Sequence, residues 1–179
     1  MQVLRLGLAV SLFALVVLFL YLLPLVSVNY FVLLDGLRER FAVMAYSLAE
    51  GLGASGMTLD GSVVTLANGE KVDVAFSCID FVSVVFVAMS ATVSIVLVLV
   101  LKGYAPTKLG LAAILLSTFI IGIAVNTVRI GVTLYLANVY YTSLVQSAGW
   151  QTFHDSVAFF IYTLYIAFCI FLAYVYAKP

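Results

Sequence analysis

Long stretches without charge constrain this chain more than any other feature of its sequence. They cover residues 6–34, 81–101, 109–128, 130–154 and 156–177. A helix of about 20 apolar residues crosses the hydrocarbon core of a bilayer, and a backbone in lipid must satisfy its own hydrogen bonds. The apolar runs are continuous rather than alternating, which argues against an outer-membrane barrel. These stretches therefore predict an all-α integral membrane protein of one compact domain.

The composition excludes several other classes. Only 9% of the 179 residues are charged, whereas a soluble globular domain has about 25%. Eight Lys and Arg balance eight Asp and Glu, so the chain has no basic surface for a nucleic acid. Two cysteines cannot build a disulfide scaffold, and one histidine without a ligand cluster cannot build a zinc site. We therefore expect no metal, no cofactor and no nucleic-acid partner.

Four transmembrane helices are expected, at residues 6–28, 76–101, 108–137 and 154–177. The first resembles a signal peptide, but its apolar core is too long and no clear small-residue cleavage site follows, so we expect a retained helix. Residues 138–153 are uncharged but carry the polar and aromatic side chains typical of a membrane–water interface. They are interpreted as an outer loop after the third helix.

The charges predict the orientation of this four-transmembrane-helix bundle. One side receives every acidic residue: Asp35, Glu39, Glu50, Asp60, Glu70, Asp73, Asp80 and Asp155. The other side receives Arg5, Lys102, Lys108 and Lys178 without any acid. Because Lys and Arg at helix ends mark the cytoplasmic side, both termini are expected to be cytoplasmic in a multi-pass protein of the cell membrane. A fifth span within 130–153 would move Lys178 outside, so the partition favours four.

The extracytoplasmic segment, residues 29–75, combines two patterns. Apolar side chains repeat at helical spacing at Leu34, Leu37, Phe41, Met44 and Leu48. This repeat predicts an amphipathic helix that lies on the outer face or stacks on the bundle. Further along, Asp60-Gly61 and Asn68-Gly69 separate β-branched runs, which predicts a small β-hairpin.

Three reactive side chains are predicted at one depth of the membrane. Cys78 begins the second span and His154 begins the fourth. Arg129 lies about 20 residues beyond the inner end of the third span, which is about 30 Å of helix and one hydrocarbon thickness. All three are therefore expected at the outer membrane edge.

This combination is typical of a nucleophile site. A helix N-terminus favours a thiolate at Cys78, and a helix C-terminus favours the cation of Arg129. Arg129 would stabilise the thiolate or a developing oxyanion, and His154 would pass a proton to the leaving amine.

Each residue also has a purely structural interpretation. A cysteine in an apolar run is usually a packing residue, as expected of Cys169 in the inner half of the last span. An arginine at a helix end is often a membrane anchor, and an interfacial histidine is often a hydrogen-bonded cap. The coincidence of Cys78, Arg129 and His154 at one depth weighs against all three interpretations together.

Three further polar residues are candidate supporting groups. Asn126 precedes Arg129 by three residues on the same helix face, so it would orient Arg129, bind substrate backbone or make an interhelical hydrogen bond. Asp80 and Asp155 would orient His154 as the third member of a triad. The alternative for both carboxylates is a charge favoured by the helix dipole.

The motifs resemble those of the exosortase/archaeosortase family of membrane cysteine proteases or transpeptidases. The resemblance covers about 75–177 and rests on three strings in order: Ala75-Phe76-Ser77-Cys78, Asn126-Thr127-Val128-Arg129-Ile130 and Phe153-His154-Asp155. The family often has a small pair such as Ser-Gly after the cysteine, whereas this chain has Ile79-Asp80.

The resemblance implies an activity and a set of catalytic residues. Such enzymes recognise a C-terminal sorting signal on a secreted protein, composed of a short motif, a transmembrane helix and a basic cluster. They cut near the motif on the outer face through a cysteine thioester, and then transfer the protein to a lipid or glycan acceptor or to water. By position, Cys78 matches the nucleophile, Arg129 the family arginine and His154 the third catalytic residue.

Two other functions remain as alternatives. In a non-catalytic assembly or helper subunit, Cys78 would react no faster than Cys169 with a membrane-impermeant thiol reagent. A transporter or channel would normally carry ionisable groups at mid-bilayer, but the interiors of these spans lack Asp, Glu and Lys.

Overall fold

A computed structural model describes residues 28–74 and 81–177. The predicted first span, residues 6–28, lies outside the described residues except for its last residue, Val28. The candidate residues Cys78 and Asp80 also lie outside them. The helices are α1 (Val28–Gly51), α2 (Phe81–Leu101), α3 (Lys108–Tyr140), α4 (Gln146–Ala148) and α5 (Trp150–Tyr176). The strands are β1 (Thr58–Asp60), β2 (Val63–Thr65) and β3 (Lys71–Asp73).

Three described segments are helical, long and apolar enough to cross a membrane. They are Ser83–Leu101, Lys108–Ala148 and Trp150–Tyr176. These segments correspond to the second, third and fourth predicted spans and indicate a membrane protein. The four-span bundle itself stays a prediction, because the first span lies outside the described residues.

The outer loop predicted at 138–153 is wrong in its secondary structure. Helix α3 continues to Tyr140, a π-helical turn follows over Tyr141–Val145, and α4 follows that turn directly. Serine hydroxyls are satisfied within the helical segment, since Ser147 Oγ donates to the Ser143 carbonyl oxygen at 2.6 Å. A polar composition therefore does not end the helix here. The break comes at Gly149, whose φ of 79° is in the region that favours glycine.

Helices α2, α3 and α5 form the bundle through small residues and buried hydroxyls. Thr92 Oγ1 of α2 lies 2.7 Å from Thr118 Oγ1 of α3. A Cβ atom added at Gly122 would lie 3.6 Å from Val84 Cγ1, so the two helices are close there. Tyr165 of α5 donates its hydroxyl proton to the Thr118 carbonyl oxygen at 3.1 Å. Small residues and interhelical hydrogen bonds of this kind are typical of packing between helices in lipid.

Helix α1 packs on α3, as one alternative for the predicted amphipathic helix, and the packed face includes the predicted Phe41 and Leu48 but not Met44. Met44 was expected on the apolar face and is 48% exposed, whereas Ala45 is fully buried. The reason is a close helix crossing: a Cβ atom at Gly131 of α3 would lie 2.7 Å from Leu48 Cδ2 and 3.1 Å from the Ala45 carbonyl oxygen. Alanine fits this gap, so the small residues of α1 are buried there.

The predicted hairpin is part of a three-stranded antiparallel sheet in the order β1-β2-β3. Its turns contain Gly61 and Gly69, with φ angles of 59° and 87°. The sheet is held to the end of α3 by Asn138, whose Oδ1 accepts from Ala67 N at 2.8 Å and whose Nδ2 donates to the Ser55 carbonyl oxygen at 3.1 Å. We call this end of the bundle, where α3 ends and α5 begins, the sheet end.

The opposite end of the bundle is closed by a lysine. Lys102, in the turn between α2 and α3, donates from Nζ to the carbonyl oxygens of Tyr174 at 2.6 Å and Ala177 at 3.0 Å. These are the last carbonyls of α5, where a cation is favoured by the helix dipole. The turn thus fixes the far end of α5 relative to α2 and α3.

Candidate active site

Arg129 and His154 are in direct contact at the sheet end. Arg129 Nη1 of α3 lies 2.8 Å from His154 Nε2 of α5, although the two residues are 25 apart in sequence. The side chain of His154 is 16% exposed, and Arg129 is 3% exposed. Two of the three residues predicted at one depth are therefore brought together, while Cys78 lies outside the described residues.

The contact defines the protonation of the imidazole. A guanidinium group donates hydrogen bonds and does not accept them, so His154 Nε2 is the acceptor of the Arg129 N–H. The ring proton is then on Nδ1, which lies 2.9 Å from Asp155 Oδ1. His154 is consequently the neutral Nδ1–H tautomer, with the lone pair of Nε2 directed at Arg129.

Asn126 serves two of the roles considered for it. Its Oδ1 accepts from Arg129 Nε at 3.0 Å, so it orients the guanidinium within α3. The same oxygen accepts from the Tyr162 hydroxyl of α5 at 2.8 Å, which is an interhelical hydrogen bond. The guanidinium carbon of Arg129 also lies 6.0 Å from the centre of the Tyr162 ring, a cation–π distance.

Asp155 is the described carboxylate that contacts His154. It is exposed, and Gln151, one helical turn earlier, donates from Nε2 to both of its carboxyl oxygens at 3.0 Å. The carboxylate is therefore oriented by Gln151, and its Oδ1 also accepts a hydrogen bond from His154 Nδ1. Asp80, the second candidate carboxylate, lies outside the described residues.

The burial of Arg129 makes its contacts energetically important. Removing a charged group from water costs several kcal/mol unless its donors are paired. Arg129 donates to Asn126 and His154, and its own carbonyl oxygen accepts from Thr133 Oγ1 at 2.8 Å. Neighbouring Ile130 is also buried. Hydrogen bonds in such surroundings are electrostatically stronger than in water.

The sheet forms one wall beside His154. An apolar niche next to the imidazole is lined by Val72, Val74, Ile130, Leu134 and Trp150 among others. Trp150 in turn stacks at an angle on Phe153, with ring centres 5.9 Å apart. The first turns of α5 thus face α3 and Val72 of β3 across this niche.

Sequence analysis did not identify Gln151 and Tyr162 as parts of the site. Both carry a signal that sequence spacing supplies: Gln151 precedes Asp155 by four residues, and Tyr162 follows His154 by eight. Residues four and eight apart share a helix face. Within residues 28–74 and 81–177, no three His, Cys, Asp or Glu side chains gather into a group able to hold a metal ion.

Comparison of this chain with protein-family models, with curated proteins and with solved structures finds no match. The resemblance to exosortases and archaeosortases therefore rests on the three sequence motifs alone.

Proposed function

We propose that this chain is a membrane-embedded cysteine protease or transpeptidase that cleaves the C-terminal sorting signals of secreted proteins. The observation that supports the proposal best is the contact of Arg129 with His154 across two helices. An imidazole with its lone pair on Nε2 is in the form required to accept a thiol proton once the Arg129 N–H has moved to the substrate. A buried guanidinium beside it is suited to stabilising an oxyanion.

The helix packing supports the assignment of Cys78 as the nucleophile. Helices α2 and α3 are antiparallel and touch where Gly122 faces Val84. Along the sequence, Cys78 is six residues before Val84, and Arg129 is seven residues after Gly122. Because the two distances differ by only one residue, a helix continued back from Phe81 to Cys78 would bring Cys78 to about the depth of Arg129.

The proposed reaction has two stages. Arg129 turns its N–H from His154 Nε2 to the scissile carbonyl oxygen, which frees Nε2 to accept the proton of the Cys78 thiol. The thiolate attacks the carbonyl carbon, and Arg129 stabilises the oxyanion. The peptide C–N bond then breaks, His154 returns the proton to the leaving amine, and a Cys78 thioester remains. An acceptor hydroxyl or amine of a lipid or glycan, or water, displaces the thiolate and releases the protein.

The proposal places the sheet end on the extracytoplasmic side. Asp60 and Asp73 of the sheet and Asp155 near the start of α5 lie at this end, and Lys102 and Lys108, in and after the turn between α2 and α3, lie at the other. A substrate helix lying against the bundle in the membrane would present its extracytoplasmic end to the site, with the sheet beside it.

Co-expression with a candidate substrate tests the proposal. The substrate is a secreted protein from the same genome that ends in a short motif, one apolar helix and a basic tail. We expect Cys78→Ala to abolish its processing, and Cys169→Ala to change processing less than twofold, because Cys169 is a buried residue of α5. The two variants are matched, since they remove the only two cysteines of the chain.

A trapped intermediate identifies the reaction class. Mass spectrometry of the Cys78 peptide after incubation with substrate should reveal a thioester that hydroxylamine removes. Processing that survives Cys78→Ala would contradict the protease proposal. A Cys78 thiol that reacts no faster than Cys169 with an impermeant reagent would instead favour the helper-subunit alternative.

A further inference from the structure

The hydrogen bonds around Arg129 form one continuous chain of side chains, which we call the relay. In order, the relay contains Tyr162, Asn126, Arg129, His154, Asp155 and Gln151. It leaves α5 at Tyr162, crosses to α3, and returns to α5 at His154. Because a guanidinium only donates and a carboxylate only accepts, the direction of each bond from Arg129 to Asp155 is fixed.

We propose that Tyr162 is a positioning residue that keeps His154 in its neutral Nδ1–H form by holding Arg129 through Asn126. Its role in turnover rests on the proposed function, whereas its effect on the imidazole does not require activity. The hydroxyl of Tyr162 donates to Asn126, so its effect on the imidazole passes through Asn126 and Arg129.

The geometry explains how a hydroxyl two contacts away controls the imidazole. Asn126 Oδ1 accepts from α3 and from α5 at once, so its amide cannot rotate without breaking both bonds. Arg129 is then held at Nε by Asn126 while Nη1 meets His154. Two anchored nitrogens fix the plane of the guanidinium, which otherwise moves on a long flexible side chain.

The alternative Nε2–H tautomer is disfavoured by the same arrangement. It would direct the Nε2 proton of His154 at the Arg129 N–H and leave Nδ1 without a proton to donate to Asp155. If the guanidinium of Arg129 is free to move away, the repulsion between the two N–H groups is removed. The ratio of the two tautomers therefore reports how firmly Tyr162 and Asn126 hold the guanidinium.

The chain is suited to a direct measurement, because His154 is its only histidine. Labelling with ¹⁵N-histidine gives a single imidazole in the spectrum of the full-length protein in lipid nanodiscs. For the native sequence we expect a protonated Nδ1 and an unprotonated Nε2. For Tyr162→Phe, which keeps the ring, we expect the ratio of Nε2–H to Nδ1–H to rise roughly fivefold, the effect of losing about one hydrogen bond.

Tyr165→Phe is the matched control. Tyr165 lies three residues further along α5 and also donates its hydroxyl proton across to α3, but its acceptor is the Thr118 carbonyl oxygen outside the relay. We expect its nitrogen spectrum to equal that of the native sequence. Asn126→Leu, which removes the shared acceptor, should shift the ratio at least as far as Tyr162→Phe and provides a second route if that variant does not fold.

Two results would overturn the inference: a native imidazole protonated at Nε2, or a Tyr162→Phe spectrum identical to that of Tyr165→Phe. In the substrate assay, Tyr162→Phe should lower kcat with little change in KM, and Tyr165→Phe should leave both unchanged. The nitrogen spectra and the substrate assay can also disagree. If the spectra are as expected but no candidate substrate is cleaved, the protease proposal is contradicted, and the role of Tyr162 in fixing the imidazole is still supported.

Discussion

The contact between Arg129 and His154 should make a measurable contribution to folding stability. Hydrogen bonds between helices in membranes average about 0.6 kcal/mol and reach about 1.7 kcal/mol, and bonds to charged groups contribute about 1.5–3 kcal/mol. The donor here is charged, 3% exposed and 2.8 Å from its acceptor. We therefore expect a coupling of about 1.5 kcal/mol.

A double-mutant cycle isolates this coupling. The single variant Arg129→Met is not informative alone, since removing a buried charge also removes its desolvation cost. Combining it with His154→Phe, which keeps a ring but no nitrogen, leaves the pairwise contribution. The free energy of unfolding is measured in bicelles by titration with a denaturing detergent and followed by circular dichroism.

A control cycle pairs Arg129→Met with Lys102→Met. Lys102 is at the opposite end of the bundle and contacts the last carbonyls of α5. These two variants share no partner, so their effects should add to within about 0.5 kcal/mol. A coupling below about 0.5 kcal/mol for Arg129 with His154 would mean that the contact does not form in the folded protein, and the proposed active site would lose its main support.

Two further predictions concern the elements that surround the site. Gly131→Ala should lower the free energy of unfolding by about 1–3 kcal/mol, because its Cβ would meet Leu48 and Ala45. The control Gly36→Ala in α1, with nothing within 4 Å of its Cβ, should raise the free energy of unfolding by up to about 1 kcal/mol. Equal effects of the two variants would refute the close crossing of α1 and α3. Asn138→Ala removes two hydrogen bonds to the sheet segment, which together contribute about 2 kcal/mol. Hydrogen exchange of the backbone amides in β2 should therefore accelerate about 30-fold. Unchanged exchange would show that the sheet is held by other contacts.

The sequence predicted the elements whose signals are strong and local. The turn between α2 and α3 contains Gly103 and Pro106, and α2 ends at Leu101 while α3 begins at Lys108, as expected. The glycine turns of the sheet were also predicted, but β3 was not predicted as a third strand, because Lys71-Val72-Asp73 has one β-branched residue between two charged ones. Such short strands carry too little pattern to separate from a loop.

Two features of the fold depend on close contacts that the pattern of apolar and polar residues along the sequence does not reveal. Patterns of large apolar residues assigned Met44 to the buried face of α1, whereas the crossing at Gly131 selects alanines such as Ala45. Likewise, polar side chains after Tyr140 suggested a loop, but serine hydroxyls bond to the preceding turn and leave the helix intact. In both cases the deciding interaction is a close contact rather than hydrophobicity.

The depth of the site residues in the bundle was predicted, because the rise per residue of a helix sets that depth. The contacts between side chains were not predicted, because they depend on how the helices are rotated about their axes. Counting residues was sufficient to bring Arg129 and His154 to one end of the bundle. It did not show that Tyr162 and Arg129 would share the oxygen of Asn126, because that requires the relative rotation of α3 and α5. The spacing of Tyr162 from His154 was visible, but many side chains of α5 have similar spacings.

The acceptors around Arg129 suggest why a buried cation is useful at this position. Asn126 Oδ1 and His154 Nε2 are neutral atoms, so they satisfy N–H donors without cancelling the positive charge. The carboxylate of Asp155 is one imidazole ring away and accepts from the far side of that ring. These two bonds hold the guanidinium without adding a negative charge of their own, so they do not reduce its ability to stabilise an anion that forms nearby. A carboxylate in the place of Asn126 would hold the guanidinium equally well and remove that ability, which is a chemical reason for an amide at this position in the proposed enzyme.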